Sequence, residues 1–218
     1  MDLSHIFNDI EFNTYDKINI IEIGTGIGQN STKFIYDYFT SFGKPFTINS
    51  YEGDNGNYQV AHKYWNSLDS NVKIINKYVS NKEDIKTLLI PNLPSYIKDY
   101  KETSVRFAEK YTKVYNNENN DYIDKFNIEP NLIFIDCSRF MHLPIINKCY
   151  ELSHNTDTDT DTDNAKSCIY VIEDDYFVDG EYGELNIISK HFKLKNVKKY
   201  EKTDWQWPFV VFEIESKY

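Results

Sequence analysis

Short apolar runs alternate with amphipathic stretches along most of the chain. Lys17–Ile23 (KINIIEI) is β-branched and apolar, which predicts a buried strand. Asn30–Phe42 follows with Phe34, Ile35, Tyr38 and Phe39 at helical spacing. Pro45–Tyr51 predicts a second strand and Gln59–Leu68 a helix; Val72–Val79 (VKIINKYV) predicts a third strand and Lys82–Leu89 a short helix. Asn131–Ile135 (NLIFI) and Ser167–Ile172 (SCIYVI) are strands four and five, with helices over His142–Leu152 between them and Gly183–Phe192 after them. Val197–Glu201 and Phe209–Ile214 (FVVFEI) close the pattern. Five strands alternating with helices predict a mostly parallel α/β sheet. The last two strands, joined by a short link, predict an antiparallel edge hairpin that brings the sheet to seven strands.

Two stretches interrupt this rhythm. Pro91–Glu129 is polar, with a helical piece near Tyr100–Tyr115, and reads as an insertion before the fourth strand. Residues 155–164 hold the run Thr156–Asp163 of alternating Thr and Asp, which has no apolar surface to bury and reads as a surface loop. It lacks the glycine and terminal glutamate of an EF-hand loop. With 218 residues and 40% hydrophobic content, the whole chain, 1–218, is expected to form a single domain.

The turn after the first strand carries the chemistry. Glu22-Ile-Gly-Thr-Gly-Ile-Gly28 places three glycines between a strand and a helix, where backbone can approach a ligand closely. A dinucleotide site has G-x-G-x-x-G, with pyrophosphate on the helix N-terminus; the position of that last glycine is Gln29 here. The alternative is a glycine turn with a buried, paired Glu22. The pattern E-x-G-x-G-x-G resembles motif I of class I S-adenosylmethionine-dependent methyltransferases. The resemblance implies their Rossmann-like fold and S-adenosyl-L-methionine as cofactor. It makes Glu22, Gly24, Thr25, Gly26 and Gly28 cofactor-binding, with Glu22 meeting the cationic amine directly or through water. Glu52, at the end of the second strand, is placed to accept both ribose hydroxyls.

Asp136 ends the fourth strand, and Asp174 and Asp175 end the fifth. In a parallel sheet these ends face one crevice, and three carboxylates there repel unless a cation joins them. Magnesium suits such a site; helix capping and loop hydrogen bonds are the alternative. Ile172-Glu-Asp-Asp-Tyr176 resembles the V-D-D-Y stretch of macrocin-type sugar O-methyltransferases. That resemblance implies Asp136, Asp174 and Asp175 as metal ligands, and Asp136 as a residue shared by metal, cofactor and catalysis. The general base of that family falls on Ser138 and that of catechol-type enzymes on Arg139, which does not deprotonate in a protein. His142 is the remaining candidate catalytic base, set against a partly exposed helix-start role.

These residues point to O-methylation of a small molecule or sugar hydroxyl, probed by aromatic faces such as Trp205 and Trp207, or to packing of those tryptophans in the hairpin. A metal-independent methyltransferase and a non-catalytic cofactor-binding domain are the alternatives. Net charge −10 argues against a polyanionic partner. Three cysteines without a CxxC pair, no basic-then-apolar leader and no stretch of about 18 apolar residues predict a cytoplasmic protein with neither disulfides nor a membrane span. The acceptor and the oligomeric state, a homo-oligomer included, lie outside the sequence.

Overall fold

β1 (Ile18–Ile23) reads INIIEI, and five of its six residues are buried. That is the signature of a strand covered on both faces, and β1 does lie inside the sheet. The computed structural model describes residues 4–80, 82–89, 91, 120–137, 141–154, 168–173, 184–200 and 208–218. After β1 come α2 (Ser31–Phe42), β2 (Phe46–Tyr51), α3 (Asn55–Trp65) and β3 (Val72–Ile75). A helical turn α4 (Lys82–Asp84) widens into a π turn over Ile85–Leu89. Then follow β4 (Leu132–Ile135), α5 (His142–His154), β5 (Ile169–Glu173), α6 (Glu184–Ile188), β6 (Phe192–Tyr200) and β7 (Phe209–Lys217).

The seven strands lie in the order β3-β2-β1-β4-β5-β7-β6. β1 pairs in parallel with β2 and β4, β2 with β3, and β4 with β5. Only β7 runs against the rest, antiparallel to both β5 and β6. The predicted edge hairpin is therefore present, but the last strand in sequence sits inside it and β6 forms the edge.

Alternation along the strands sorts the core into two layers. Ile18 and Ile20 of β1, Leu132 and Phe134 of β4 and Val171 of β5 pack with Ile35 and Phe39 of α2 and Trp65 of α3. Ile21, Ile23, Ile133, Ile135, Tyr170 and Ile172 pack on the other face with Leu143, Ile146 and Cys149 of α5.

The structure corrects several boundaries. α3 starts at Asn55, four residues before the predicted Gln59, because Asp54 caps it by accepting from the Asn57 amide at 2.9 Å. β3 stops at Ile75; beyond it Tyr78 makes an isolated parallel bridge with Tyr122. That bridge anchors the far end of the predicted insertion, and Ile123 is buried beside it. β6 begins at Phe192, where a helix end was expected. Its lysines 193, 195, 198 and 199 mask the strand pattern, because an edge strand has an exposed face that charge protects from further pairing. The predicted helical piece at Tyr100–Tyr115, the loop at 155–164, Trp205 and Trp207 lie outside the described residues.

Sequence pattern missed the N-terminal segment altogether. A four-residue helix α1 (Ser4–Phe7) and a 3-10 turn (Phe12–Thr14) lie over the sheet. Phe7 and Phe12 are fully buried and pack their rings against Phe39, tilted and edge-on, at 5.4 and 5.0 Å between centroids. Two groups of β6 tether the segment: Lys198 Nζ donates to the Asp9 carbonyl at 2.9 Å and the Tyr200 hydroxyl to Asp9 Oδ2 at 2.8 Å. Among the described residues no helix is long and apolar enough to cross a membrane.

Phe39 touches both N-terminal phenylalanines, Tyr38, Phe42 and Phe46. Phe39→Ala is expected to cost about 3–5 kcal/mol in urea unfolding. Lys33→Ala, which removes the solvent-exposed pair with Asp37, is expected to change stability by less than about 0.5 kcal/mol.

Candidate functional site

The strand order reverses direction between β1 and β4. Helices leaving those two strands diverge to opposite faces, so a crevice opens beyond their carboxyl ends. The glycine loop fills one side of this crevice. Gly24, Gly26 and Gly28 all have positive φ, at 97°, 56° and 77°. Their roles differ. A Cβ at Gly24 would lie 1.8 Å from the Asp136 carbonyl oxygen, so glycine here lets β1 and β4 stay together past their ends. Asp136 N–H donates to the Ile23 carbonyl at 2.9 Å, continuing that ladder. A Cβ at Gly28 would press within 2.9 Å of Ala61 and of the Trp65 indole, which donates to the Gly28 carbonyl at 2.7 Å. Gly28 thus serves packing against α3. Gly26 faces open space, with no atom within 4 Å of a Cβ built there; of the three glycines it is the one placed to let a ligand approach backbone.

Glu52 stands opposite. Its Oε2 accepts from the Gly26 amide at 2.8 Å and its Oε1 from the Asp54 amide at 2.7 Å. A carboxylate has about four acceptor positions, so two remain for hydroxyl groups. Burial pushes the Glu52 carboxyl above its ordinary range, and the amides of Asp54 and Gly26 offset part of this. Around it, Asn76 donates to the Glu52 carbonyl at 2.8 Å. The Tyr78 ring lies so near Gly53 that a Cβ there would meet it at 2.3 Å.

Glu22 and Thr25 both lie in the interior. Glu22 is fully buried on the α2 side of β1, and Thr25 is 2% exposed. Glu22 Oε2 accepts from Thr32 Oγ1 at 2.7 Å and from Ser50 Oγ at 2.5 Å. Thr25 Oγ1 is hydrogen-bonded to Ser50 Oγ rather than turned to the crevice. Both side chains therefore support the loop from behind. Burial drives the Glu22 pKa up to about 7, against hydroxyls of Ser50, Ser31 and Thr32 that favour its charged form; Asp136 adds to the rise. Glu22 Oε1 is buried without a hydrogen-bond partner among the described residues, a spot where a cationic group is favoured.

His142 is also reassigned. The prediction allowed a partly exposed ring, but its exposure is 0%, because α5 enters the core with Met141 to Ile146 all buried. Its Nε2–H donates to the Cys137 carbonyl at 3.0 Å and ties the loop after β4 to α5. A base must come within about 3 Å of the proton it takes, and the His142 ring has no exposed edge. Asp136 is half-buried at the crevice. Asp174 and Asp175 lie outside the described residues, and among the described residues no three His, Cys, Asp or Glu side chains are grouped to hold a metal.

Ser50, Thr32 and Trp65 were missed in the sequence. Ser50 had a signal: it is the polar residue of its strand face and pairs directly with Glu22 once Ile20 is set against Ile48. Thr32 and Trp65 act through helices and left none.

No family model matches the chain, and no curated protein matches it. Solved structures do. A SAM-dependent methyltransferase from Aquifex aeolicus aligns with a TM-score of 0.52 at 12% identity, covering 98% of this chain and 89% of that one. This chain has the fold of that enzyme. The SAH-bound methyltransferase PaMTH1 of Podospora anserina aligns with a TM-score of 0.46 at 10% identity, over 91% of this chain and 72% of that chain. An rRNA methylase from Streptococcus thermophilus aligns with a TM-score of 0.42 at 10% identity, over 91% and 87%. The seven-stranded, Rossmann-like methyltransferase architecture expected from the glycine motif is the one found.

Two outcomes are expected. Gly24→Ala should lower Tm far more than Gly26→Ala, since the first meets backbone and the second only the strain of positive φ, about 1 kcal/mol. For Glu22, folding raises the pKa from 4.5 to about 7. Between those values the folded state keeps a proton that the unfolded chain has lost, so stability falls as pH rises through this window. Glu22→Gln should remove that part of the slope in denaturant titrations at pH 5 and pH 8.

Proposed function

We propose that this chain is an S-adenosylmethionine-dependent methyltransferase acting on a hydroxyl group of a small molecule or sugar. The observation that carries the reading is the pairing of the open Gly26 turn with the Glu52 carboxylate beyond the carboxyl ends of β1 and β2, beside the β1–β4 switch point. Glu52 keeps two acceptor positions for the ribose hydroxyls. Gly24 to Gly26 give backbone that the amino-acid end of the cofactor can lie against, and the unpartnered Glu22 Oε1 supplies negative potential toward its ammonium. When bound, the cofactor supplies a methyl group on a positively charged sulfur.

Such a displacement has a neutral leaving group, so the protein's main task is holding the acceptor oxygen in line, about 3 Å from the methyl carbon. Asp136, half-buried at the end of β4, is our candidate to orient or deprotonate the acceptor, on the strength of its position in the sequence motif. The magnesium reading belongs to the same proposal. It rests on the sequence motif of Asp136, Asp174 and Asp175, whose hard oxygens suit that ion. An acceptor of small size is favoured because net charge −10 repels nucleic acid.

Titration calorimetry tests the proposal. S-adenosylmethionine should bind with a dissociation constant between about 1 μM and 1 mM, the range of working substrate affinities. Glu52→Ala should weaken it by about 10- to 100-fold, the worth of hydrogen bonds to a charged group. No heat of binding at millimolar cofactor would sink the assignment. Adding magnesium should strengthen acceptor binding in the wild type and leave Asp136→Ala unchanged; equal activity with and without chelator would remove the metal.

A further inference from the structure

Two hydroxyls stand between the buried carboxylate and the glycine loop. Ser50 is fully buried on β2, opposite Glu22 in register, and Thr25 is the loop's second residue. Ser50 donates its single proton to Glu22 Oε2, at 2.5 Å. When Glu22 is ionised, the Ser50 proton is committed to it, and the hydrogen bond between Thr25 and Ser50 takes the Thr25 proton. Thr32 sends a second proton to the same carboxylate oxygen from α2. The Ser50 and Thr32 protons thus both point to Glu22 Oε2, with Thr25 linked behind Ser50.

That orientation matters for the loop. The Thr25 carbonyl accepts from the Gly28 amide at 3.0 Å, closing the turn, and the Gly24 amide is held by the Tyr51 carbonyl at 3.0 Å. Gly26, next to Thr25, is the open glycine whose amide meets Glu52. Thr25 is therefore the one residue of the loop whose side chain anchors it to the sheet, with the glycines on both sides free of side chains.

We infer that Ser50 is a positioning residue, and that the relay Thr25–Ser50–Glu22 holds the glycine loop in its ligand-accepting shape and so sets cofactor affinity without touching the cofactor. The affinity part rests on the methyltransferase reading above; the loop-holding part does not.

Amide hydrogen exchange and calorimetry on the full chain separate the two. Thr25→Val keeps the shape and deletes the hydroxyl; Thr25→Ser keeps the hydroxyl. In Thr25→Val and in Ser50→Ala, exchange at Gly26 and Gly28 should quicken about tenfold, the effect of losing one buried hydrogen bond, while the β4 and β5 amides stay unchanged. Thr25→Ser should exchange as the wild type does. The double variant should be no worse than the worse single one, since both cut one chain. Calorimetry should show S-adenosylmethionine binding about tenfold weaker in the same variants. Unchanged loop exchange in Thr25→Val, or additive effects in the double variant, overturns the relay. Loop exchange that responds while no form binds cofactor upholds the relay and overturns its link to affinity, and the methyltransferase reading with it.

Discussion

A carboxylate without water around it is the constraint to which the rest of this site answers. Glu22 lies in the middle of the sheet, on a strand otherwise made of isoleucine and one asparagine. Burial of that charge is costly unless polar groups converge on it. The convergence comes from three elements at once: Thr32 from α2, Ser50 from β2, and through Ser50 the loop residue Thr25. One acid thereby joins the first strand, the first helix, the second strand and the turn between them. A hydrophobic residue at this position would pack as well, but it would accept nothing from Ser50 or Thr32.

The three glycines divide their labour around this anchor. Gly24 lets the chain pass against Asp136, Gly28 lets α3 and its tryptophan close in, and Gly26 is left with space before it. A motif that looks uniform in sequence thus has two members fixed by packing and one fixed by access. Glu52 completes the rim because the strand that carries Ser50 also carries it, two residues on, past the end of the ladder.

Much of this was readable beforehand, and for a physical reason. Strands buried on both faces leave apolar or β-branched runs, near-continuous in β1, β4 and β5 and broken by Asn49 and Ser50 in β2, so all four were found within a residue or two, and their ends located Glu52 and Asp136. What failed depended on partners remote in sequence. β6 is disguised by its lysines because half of it faces water. The N-terminal helix is too short for periodicity, and it exists because Phe7 and Phe12 fit against Phe39 and Phe134. His142 looked like a base by its neighbourhood in sequence; its burial is decided by how α5 meets the sheet. Glu22 was foreseen as a residue of the site, yet its inward orientation follows from Ser50, and that pairing needs the register of two strands.

The place of β7 governs how this protein comes into being. β7 follows both β5 and β6 in sequence yet is wedged between them, and its residues Phe209 and Phe212 are fully buried. Until it arrives, β5 offers an unpaired edge and β6 has no partner. The N-terminal segment waits as well, since its tethers are Lys198 and Tyr200, some 190 residues downstream. The segment around Asp9 and strand β6 lock together only once both have been made. Contacts this distant in sequence form slowly, and a chain cut short by even one strand has no complete sheet to close.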